Sequence, residues 1–178
     1  MNIYELKLAT SDDTNDILSI YNDGIKSLKN DNVNQWQNNE SPNLNTIMNH
    51  LNTDLFVFTQ NNTIIATCVL QKGIDPCYEK FKWHSNLPYI SIHKVAIKKE
   101  FQNKGLSKIM FNKIESYAIK NNIFNLRIDT HENNFRMKNL LSKCNYKFTE
   151  KIIFNDSLIR IGFDKILSNL GANNENIE

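Results

Sequence analysis

Apolar residues recur along the chain in two spacings, and these spacings predict an alternation of strands and helices. Spacings of three and four residues are typical of a helix with one buried side, whereas short alternating or continuous apolar runs are typical of strands. The predicted strands span residues 3–8, 55–59, 63–70, 89–97, 125–129, 146–154 and 158–163. Helices are predicted after Ser11 or Asp12, from Leu44, from Leu106, and after Asn133 or Asn134. This order favours an α+β fold in which helices cover a mixed sheet.

The apolar pattern changes phase inside the fourth predicted strand. Ile90 and Ile92 alternate with polar neighbours, but the alternation resumes one residue late, at Val95. One extra residue in a strand produces this change, so we predict a β-bulge near His93 or Lys94. A bulge leaves main-chain groups without a partner in the sheet, and these groups are available to a ligand.

A polar turn with one glycine follows this strand and leads into a helix with an apolar side. Gly105 stands where the turn becomes the helix, and its missing side chain lets another group approach the main chain closely. The first turn of a helix has free N–H groups and the positive end of the helix dipole, so it suits a phosphate. Lys104 and Lys108 add positive charge at the same place. We therefore predict that this turn binds a diphosphate.

The same turn resembles the Gln/Arg-x-x-Gly-x-Gly/Ala turn of the GNAT superfamily of N-acetyltransferases. Its sequence is Gln102-Asn103-Lys104-Gly105-Leu106-Ser107, with serine where the family usually has glycine or alanine. The resemblance implies the GNAT fold, with about six to seven strands, a bulged fourth strand and about four helices. It also implies that acetyl-coenzyme A (acetyl-CoA) is the cofactor. Its pyrophosphate would bind main-chain amides of the turn, and its pantetheine arm would pair with the bulged strand.

A second segment also resembles a cofactor-binding region of that family. It begins with Asp129-Thr130-His131-Glu132-Asn133-Asn134 and ends with Leu140-Leu141-Ser142-Lys143-Cys144-Asn145-Tyr146. In the family an asparagine at the helix start, matched here by Asn134, contacts the cofactor. Leu141 occupies the place of the tyrosine that often protonates the leaving thiolate, so the resemblance implies another general acid or bulk water. The implied cofactor-binding residues are Val95, Ala96, Ile97, Gln102, Asn103, Lys104, Gly105, Leu106, Ser107, Lys108 and Asn134.

Transfer of an acetyl group from a thioester to an amine requires a base, a donor for the oxyanion and two substrates held in line. A main-chain N–H of the bulged segment 95–97 is the predicted oxyanion donor. His93 is the first candidate for the base, because it lies at the predicted bulge and histidine exchanges protons near neutral pH. Its alternative is a histidine bonded to a backbone carbonyl beneath the sheet. His131 is the second candidate, and its alternative is a surface or helix-capping residue.

The acceptor pocket is less constrained by the sequence. The first helices, the loop around Trp36 and the aromatic-rich insert 73–88 are expected to shape it, and they suit a small amine or a peptide end equally. Trp36, Glu79 and Asp129 are the candidate substrate-binding residues, since a ring can line a pocket and a carboxylate attracts a cationic amine. The alternative for Trp36 is packing on the core, and the alternative for the two carboxylates is solvation or ion pairing.

Size and composition set outer limits on the function. The chain has 178 residues, a mass of 20.8 kDa and a net charge of +2. We predict one domain over residues 1–169 and a frayed tail over 170–178. The charge is too small to favour nucleic acid, no apolar run approaches a membrane span, and the three cysteines lack metal or disulfide spacing. We expect a cytoplasmic protein without a metal, with homodimerisation an open possibility.

The leading prediction is an acetyl-CoA-dependent N-acetyltransferase that moves an acetyl group directly to a primary amine, on a small molecule or a peptide, in a ternary complex. Two other functions stay open. One is an acyl-CoA-binding regulatory or sensor module of the same fold without catalysis, which Leu141 and Ser107 leave open. The other is a nucleotide-binding regulator, although the chain has no Gly-x-x-x-x-Gly-Lys-Ser/Thr run and no evident magnesium carboxylate.

Overall fold

The computed structural model describes residues 2–37, 40–155 and 158–168. Within these ranges the strands and helices follow the predicted order, and the predicted α+β fold is confirmed. The elements are β1 (Tyr4–Leu8), α1 (Thr14–Asn30), α2 (Leu44–His50), β2 (Leu55–Gln60), β3 (Thr63–Lys72), β4 (Ile90–Ile97), α3 (Leu106–Lys120), β5 (Asn125–His131), α4 (Phe135–Lys143), β6 (Lys147–Asn155) and β7 (Leu158–Ile166). The predicted tail at 170–178 lies outside the described residues.

The strands form one mixed sheet in the order β1-β2-β3-β4-β5-β7-β6. All neighbouring strands are antiparallel except β4 and β5, which are parallel and are joined by the crossover helix α3. Tight turns set the antiparallel register where the chain reverses. Asn61 and Asn62 both have positive φ between β2 and β3, as a two-residue hairpin turn requires.

Apolar side chains cover both faces of the sheet. The alternation of β2 sends Phe56 and Phe58 to the face under α3 and α4, and Leu55 and Val57 to the face under α1 and α2. Helix α3 also buries Phe111, which packs into the core and contacts the ring of Tyr146 edge-on. None of the helices in the described ranges has the length and apolar character needed to cross a bilayer.

The insert between β3 and β4 packs over β5 and β7: the hydroxyl of Tyr78 donates to Asp129, and the N–H of His84 donates to Asp164. The ring of Tyr78, in this insert, is buried and lies beside the rings of Phe81 and Trp83. Arg127 of β5 holds this aromatic group in place: its guanidinium lies 3.8 Å from the ring centre of Tyr89 and 4.8 Å from that of Trp83. The insert is therefore fixed to the strand whose end lines the functional cleft.

Candidate active site

The predicted bulge is present in β4. Its residue His93 pairs with Val69 of β3, and Ala96 pairs with Thr67, so two residues of β4 face one residue of β3. Lys94 takes up the extra residue with φ of 51°, in the left-handed region that a lysine seldom adopts. Before the bulge Ile92 packs in the core under α3, and after it Ala96 packs in the core under α1. This change of face is the physical cause of the phase slip in the sequence.

Beyond the bulge β4 and β5 separate. Their parallel pairing is confined to Ile90–Ile92 and Leu126–Ile128, whereas β5 continues its pairing with β7 as far as His131. The edge of β4 that faces β5 therefore has no strand partner beyond Ile92 in the described structure. A cleft of about 1060 Å³ fills the gap and reaches from the start of α3 to the loop after α1.

One end of the cleft is built from the turn before α3. The backbone N–H groups of residues 103–107 donate to no acceptor in the described part of the chain. Gly105 has φ of 76°, and a Cβ placed on it would meet no atom within 4 Å, so the main chain here is open to a ligand. The side-chain amide of Gln102 donates to the carbonyl of Ile97 at 3.0 Å, which holds the turn against the end of β4.

The residues implied as cofactor ligands do not all face this cleft. Lys104 and Leu106 are outside its lining: the ammonium of Lys104 lies 5.5 Å from the ring centre of Phe101, and Leu106 is buried in the core. The others line the cleft, namely Val95, Ala96, Ile97, Gln102, Asn103, Gly105, Ser107, Lys108 and Asn134.

Asn134 begins helix α4 and links it to the opposite wall. Its side-chain oxygen accepts from the N–H of Met137 at 3.1 Å, which caps the helix. Its amide nitrogen donates at 3.1 Å to the side-chain oxygen of Gln35, in the loop after α1. The same oxygen of Gln35 accepts from the hydroxyl of Thr130 at 3.3 Å. Sequence reasoning missed Gln35, because nothing distinguishes it from its polar neighbours until the fold brings it to the end of β5.

His93 lies at the other end of the cleft, and a buried carboxylate holds its ring. The Nε2 atom is 2.7 Å from a carboxylate oxygen of Asp75, in the insert, and Asp75 is only 6% exposed. The second oxygen of Asp75 accepts from the N–H of Cys77 at 2.9 Å. The partner of His93 is therefore a carboxylate and not the backbone carbonyl considered as the alternative.

Asp75 is ionised at neutral pH. Burial raises the pKa of Asp75, but the hydrogen bond and charge of His93 and the N–H of Cys77 lower it by more, so that it lies below the ordinary carboxyl value. A carboxylate on Nε2 places the proton of the neutral ring there. The Nδ1 atom of His93 then has a free lone pair.

The Nδ1 side of His93 faces a second carboxylate. A carboxylate oxygen of Asp129, at the end of β5, is 4.0 Å from Nδ1. The hydroxyl of Tyr78 donates to the same oxygen at 2.9 Å. Burial and the negative charge of Asp129 raise the pKa of Tyr78 well above its ordinary value, so this hydroxyl keeps its proton. The other oxygen of Asp129 is 3.4 Å from Nε of Arg160 in β7.

The remaining predicted site residues differ in placement. Trp36 lines the cleft and also packs edge-on against Tyr21 in the core. His131 is buried outside the cleft lining, where its Nδ1 accepts from the N–H of Asn133 at 3.1 Å and closes the turn before α4. Glu79 is exposed and also lies outside the lining. Leu141 is fully buried in the core and presents no group to the cleft.

Four cations in the cleft lining were not predicted from the sequence, namely Lys94, Arg136, Lys143 and Arg160. Lys94 lines the cleft from the bulge, and Arg160 lines it from β7. Arg160 pairs loosely with Glu40 as well as with Asp129, each at 3.4 Å. A lysine inside a strand pattern carries no signal of its own, and Arg160 meets the cleft only because β7 pairs beside β5.

Comparison with known proteins agrees with this architecture. The sequence model of the acetyltransferase (GNAT) family matches residues 21–146. A GNAT-family acetyltransferase from Streptococcus agalactiae 2603 has a similar structure, with a TM-score of 0.83 and 23% identity over 93% of this chain and 96% of that chain. One from Listeria monocytogenes 4b F2365 gives a TM-score of 0.74 and 16% identity over 92% and 95%.

A third similar structure is yncA from Salmonella typhimurium, solved with its cofactor acetyl-CoA, with a TM-score of 0.64 and 13% identity over 95% of this chain and 96% of that chain. No curated protein sequence matched the chain significantly. At these identities the structures show the fold, and the family model covers well over half of the chain. The chain therefore belongs to the GNAT family of acetyltransferases, whose members use acetyl-CoA as the acetyl donor.

Proposed function

We propose that the protein transfers the acetyl group of acetyl-CoA directly to a primary amine, on a small molecule or a peptide, within a ternary complex. One observation carries this proposal: a single cleft joins the turn of unbonded N–H groups before α3 to the histidine–carboxylate pair at the bulge. The first end suits the phosphates of a coenzyme, and the second suits the removal of a proton from an amine.

The cofactor would bind through main-chain atoms. The N–H groups of residues 103–107 and the positive end of the α3 dipole would hold the pyrophosphate, with Lys108 adding charge at the cleft wall. The open edge of β4 over Val95–Ile97 would pair with the amides of the pantetheine arm, as another strand would. This arrangement would place the thioester beside His93.

His93 would act as the general base. Its Nδ1 lone pair faces Asp129, so an ammonium bound to that carboxylate would lie within reach of Nδ1. Nδ1 would take a proton from the ammonium, and the free amine would attack the thioester carbonyl carbon. The Asp75 carboxylate would stabilise the imidazolium that forms.

The tetrahedral intermediate would place its oxyanion near a main-chain N–H of segment 95–97. The attacking nitrogen would lose its remaining extra proton to water in the open cleft, the carbon–sulfur bond would break, and the acetylated amine and the coenzyme A thiolate would separate. Leu141 is buried and has no proton to give, so the thiolate would take its proton from water in the open cleft.

A thiol-release assay tests this function. The protein is incubated with acetyl-CoA and a panel of primary amines, and free coenzyme A is measured with a chromogenic disulfide while mass spectrometry identifies the product. We expect release that depends on an added amine, together with a product heavier by one acetyl group. Acetyl-CoA alone gives the background hydrolysis.

A non-catalytic acyl-CoA-binding module is the second candidate, because the side chain of Leu141 cannot protonate a thiolate. It predicts a different result in the same experiment: acetyl-CoA binds, but no amine of the panel increases thiol release. That result would contradict the catalytic proposal.

A further inference from the structure

Two cations and two carboxylates line the acceptor end of the cleft. The cations are Lys94 and Arg160, and the carboxylates are Asp129 and Glu40. Arg160 has an atom 3.4 Å from each carboxylate, and its side chain is 14% exposed. The lining contains a further pair, Asp31 and Arg136, whose charged groups bond to each other at a distance of 2.6 Å. The acceptor end is thus balanced in charge, with both signs facing the same space.

Lys94 is the unpaired member of this group. Its ammonium makes no ion pair or hydrogen bond with any described residue, and it lies 6.0 Å from the ring centre of Trp36. Burial lowers the pKa of Lys94, and the charges of Asp129 and Glu40 oppose this effect. A cation that is partly removed from water without a partner gains from an anion placed beside it.

Lys94 is poorly placed to serve the phosphates of a coenzyme. The charged groups that act on it are Asp129, Arg160 and Glu40, all at the acceptor end. The unbonded N–H groups are instead at the start of α3, where Lys108 is the lysine in the cleft lining. The anion that suits Lys94 therefore belongs to the second substrate.

We propose, on the basis of the acetyltransferase function above, that the acceptor is an amine that also carries a carboxylate. Lys94 and Arg160 bind its carboxylate, while its ammonium lies between Asp129 and the Nδ1 atom of His93. Such a zwitterion matches both signs of charge in the acceptor end, and Trp36 covers its carbon chain. An amine without a negative group would leave Lys94 unpaired in the ternary complex.

Matched substrates and a matched lysine pair test the inference. The substrates are an α-amino acid, its amide and its decarboxylated amine, each assayed by thiol release with saturating acetyl-CoA. The variant Lys94→Met keeps the length of the side chain over Trp36 and removes its charge. The control Lys113→Met removes a lysine from the exposed side of α3.

We expect the unchanged protein to prefer the amino acid over both analogues. Lys94→Met should raise the KM for the amino acid by about tenfold or more, the effect of losing a charged hydrogen bond, with a smaller change in kcat. It should leave the KM for the decarboxylated amine within about twofold, because that amine offers Lys94 no partner. Lys94→Arg should restore most of the preference.

Two results would overturn the inference while the proposed function stands: equal or faster turnover of the amines that lack a carboxylate, or an equal effect of Lys94→Met on all three substrates. Thiol release with none of the amines would instead contradict the proposed function, and the inference with it. The Lys113→Met control separates a local loss of charge from a general effect of surface charge.

Discussion

The ring of His93 is held by Asp75 through one nitrogen, which leaves the other nitrogen for chemistry. The same pairing of histidine and aspartate occurs at His50 and Asp54, where Nδ1 is 2.8 Å from the carboxylate. That pair lies at the end of α2 and outside the cleft lining. The two histidines therefore have similar partners but different access to a substrate.

This contrast gives a prediction for His93. His93→Gln should lower kcat/KM at pH 7 by about a hundredfold, because the ammonium loses its base. The rate of the variant should rise steeply with pH, since the amine itself then loses its proton in solution. The pH–rate profile of thiol release measures both effects, and His50→Gln serves as the control.

Asp75→Asn tests the positioning role in the same assay. The carboxylate orients the ring and stabilises the imidazolium that forms, so its removal should lower kcat/KM for thiol release. A His93→Gln variant with the full rate and an unchanged profile would remove His93 and Asp75 from the mechanism.

At the scale of single residues, the sequence predicted those features that depend on the local pattern of apolar residues. The bulge at Lys94 was predictable because a strand with one face in each core must alternate, and an extra residue interrupts that alternation. Asp75 and Gln35 were not predictable, since each acts through a partner that the fold brings from a distant part of the chain. No local signal marks such a residue.

The start of α3 is the element on which the proposed cofactor binding depends. Gly105 lies at its N-terminus with positive φ and open space where a side chain would be. Gly73, after β3, also has positive φ and open space, and it lies outside the cleft lining. A substitution at either glycine therefore introduces a similar backbone strain.

Gly105→Asp should weaken acetyl-CoA binding by on the order of a hundredfold, because the new carboxylate would lie beside the phosphates. Gly73→Asp should leave binding unchanged, since its carboxylate is remote from the turn. Isothermal titration measures both affinities, and circular dichroism checks that both variants fold. Equal affinities in the two variants would exclude the turn as the phosphate site.

Elements were predicted better than their ends. The spacing of apolar residues in α3 and α4 indicated both helices, whereas β5 was predicted to stop at residue 129 and continues to His131. The extension arises because Thr130 pairs with Ile161 and His131 with Arg160, contacts that are formed only in the assembled sheet. Pairing in the sheet thus decided this strand end.

At the scale of the whole molecule, β4 and β5 pair over a short length and then separate. The β1–β4 part of the sheet is therefore connected to the β5–β7–β6 part through three residue pairs. A ligand in the cleft would contact both parts, and it would bind the folded state only. Acetyl-CoA at about a hundred times its Kd should therefore stabilise the fold by about 2.7 kcal/mol. For a chain of 178 residues this corresponds to a rise in Tm of roughly 5–10 °C.

Scanning calorimetry with and without acetyl-CoA measures this shift. The Gly105→Asp variant should show little of it at the same ligand concentration, and Gly73→Asp should show all of it. An unchanged Tm at saturating acetyl-CoA would contradict binding to the native fold.

The order of the elements predicted a mixed sheet, but it did not predict the strand order, because β7 lies between β5 and β6 although it follows both in the chain. The identity of the acceptor did not follow from the sequence either. The side chains proposed to face it come from the loop after α1, the bulge, β5 and β7, and only the folded chain brings Lys94 and Arg160 to one cleft.

The extra residue in β4 determines which face of the sheet each later side chain of the strand points to. Exchanging Lys94 for another amino acid alters one side chain and leaves the later ones facing as before. Deleting it would turn Ala96 toward α3 and turn Val95 and Ile97 toward α1, reversing both sides of the strand at once. The length of this strand is therefore under stronger constraint than its composition, and homologous chains should vary here by replacement and seldom by loss.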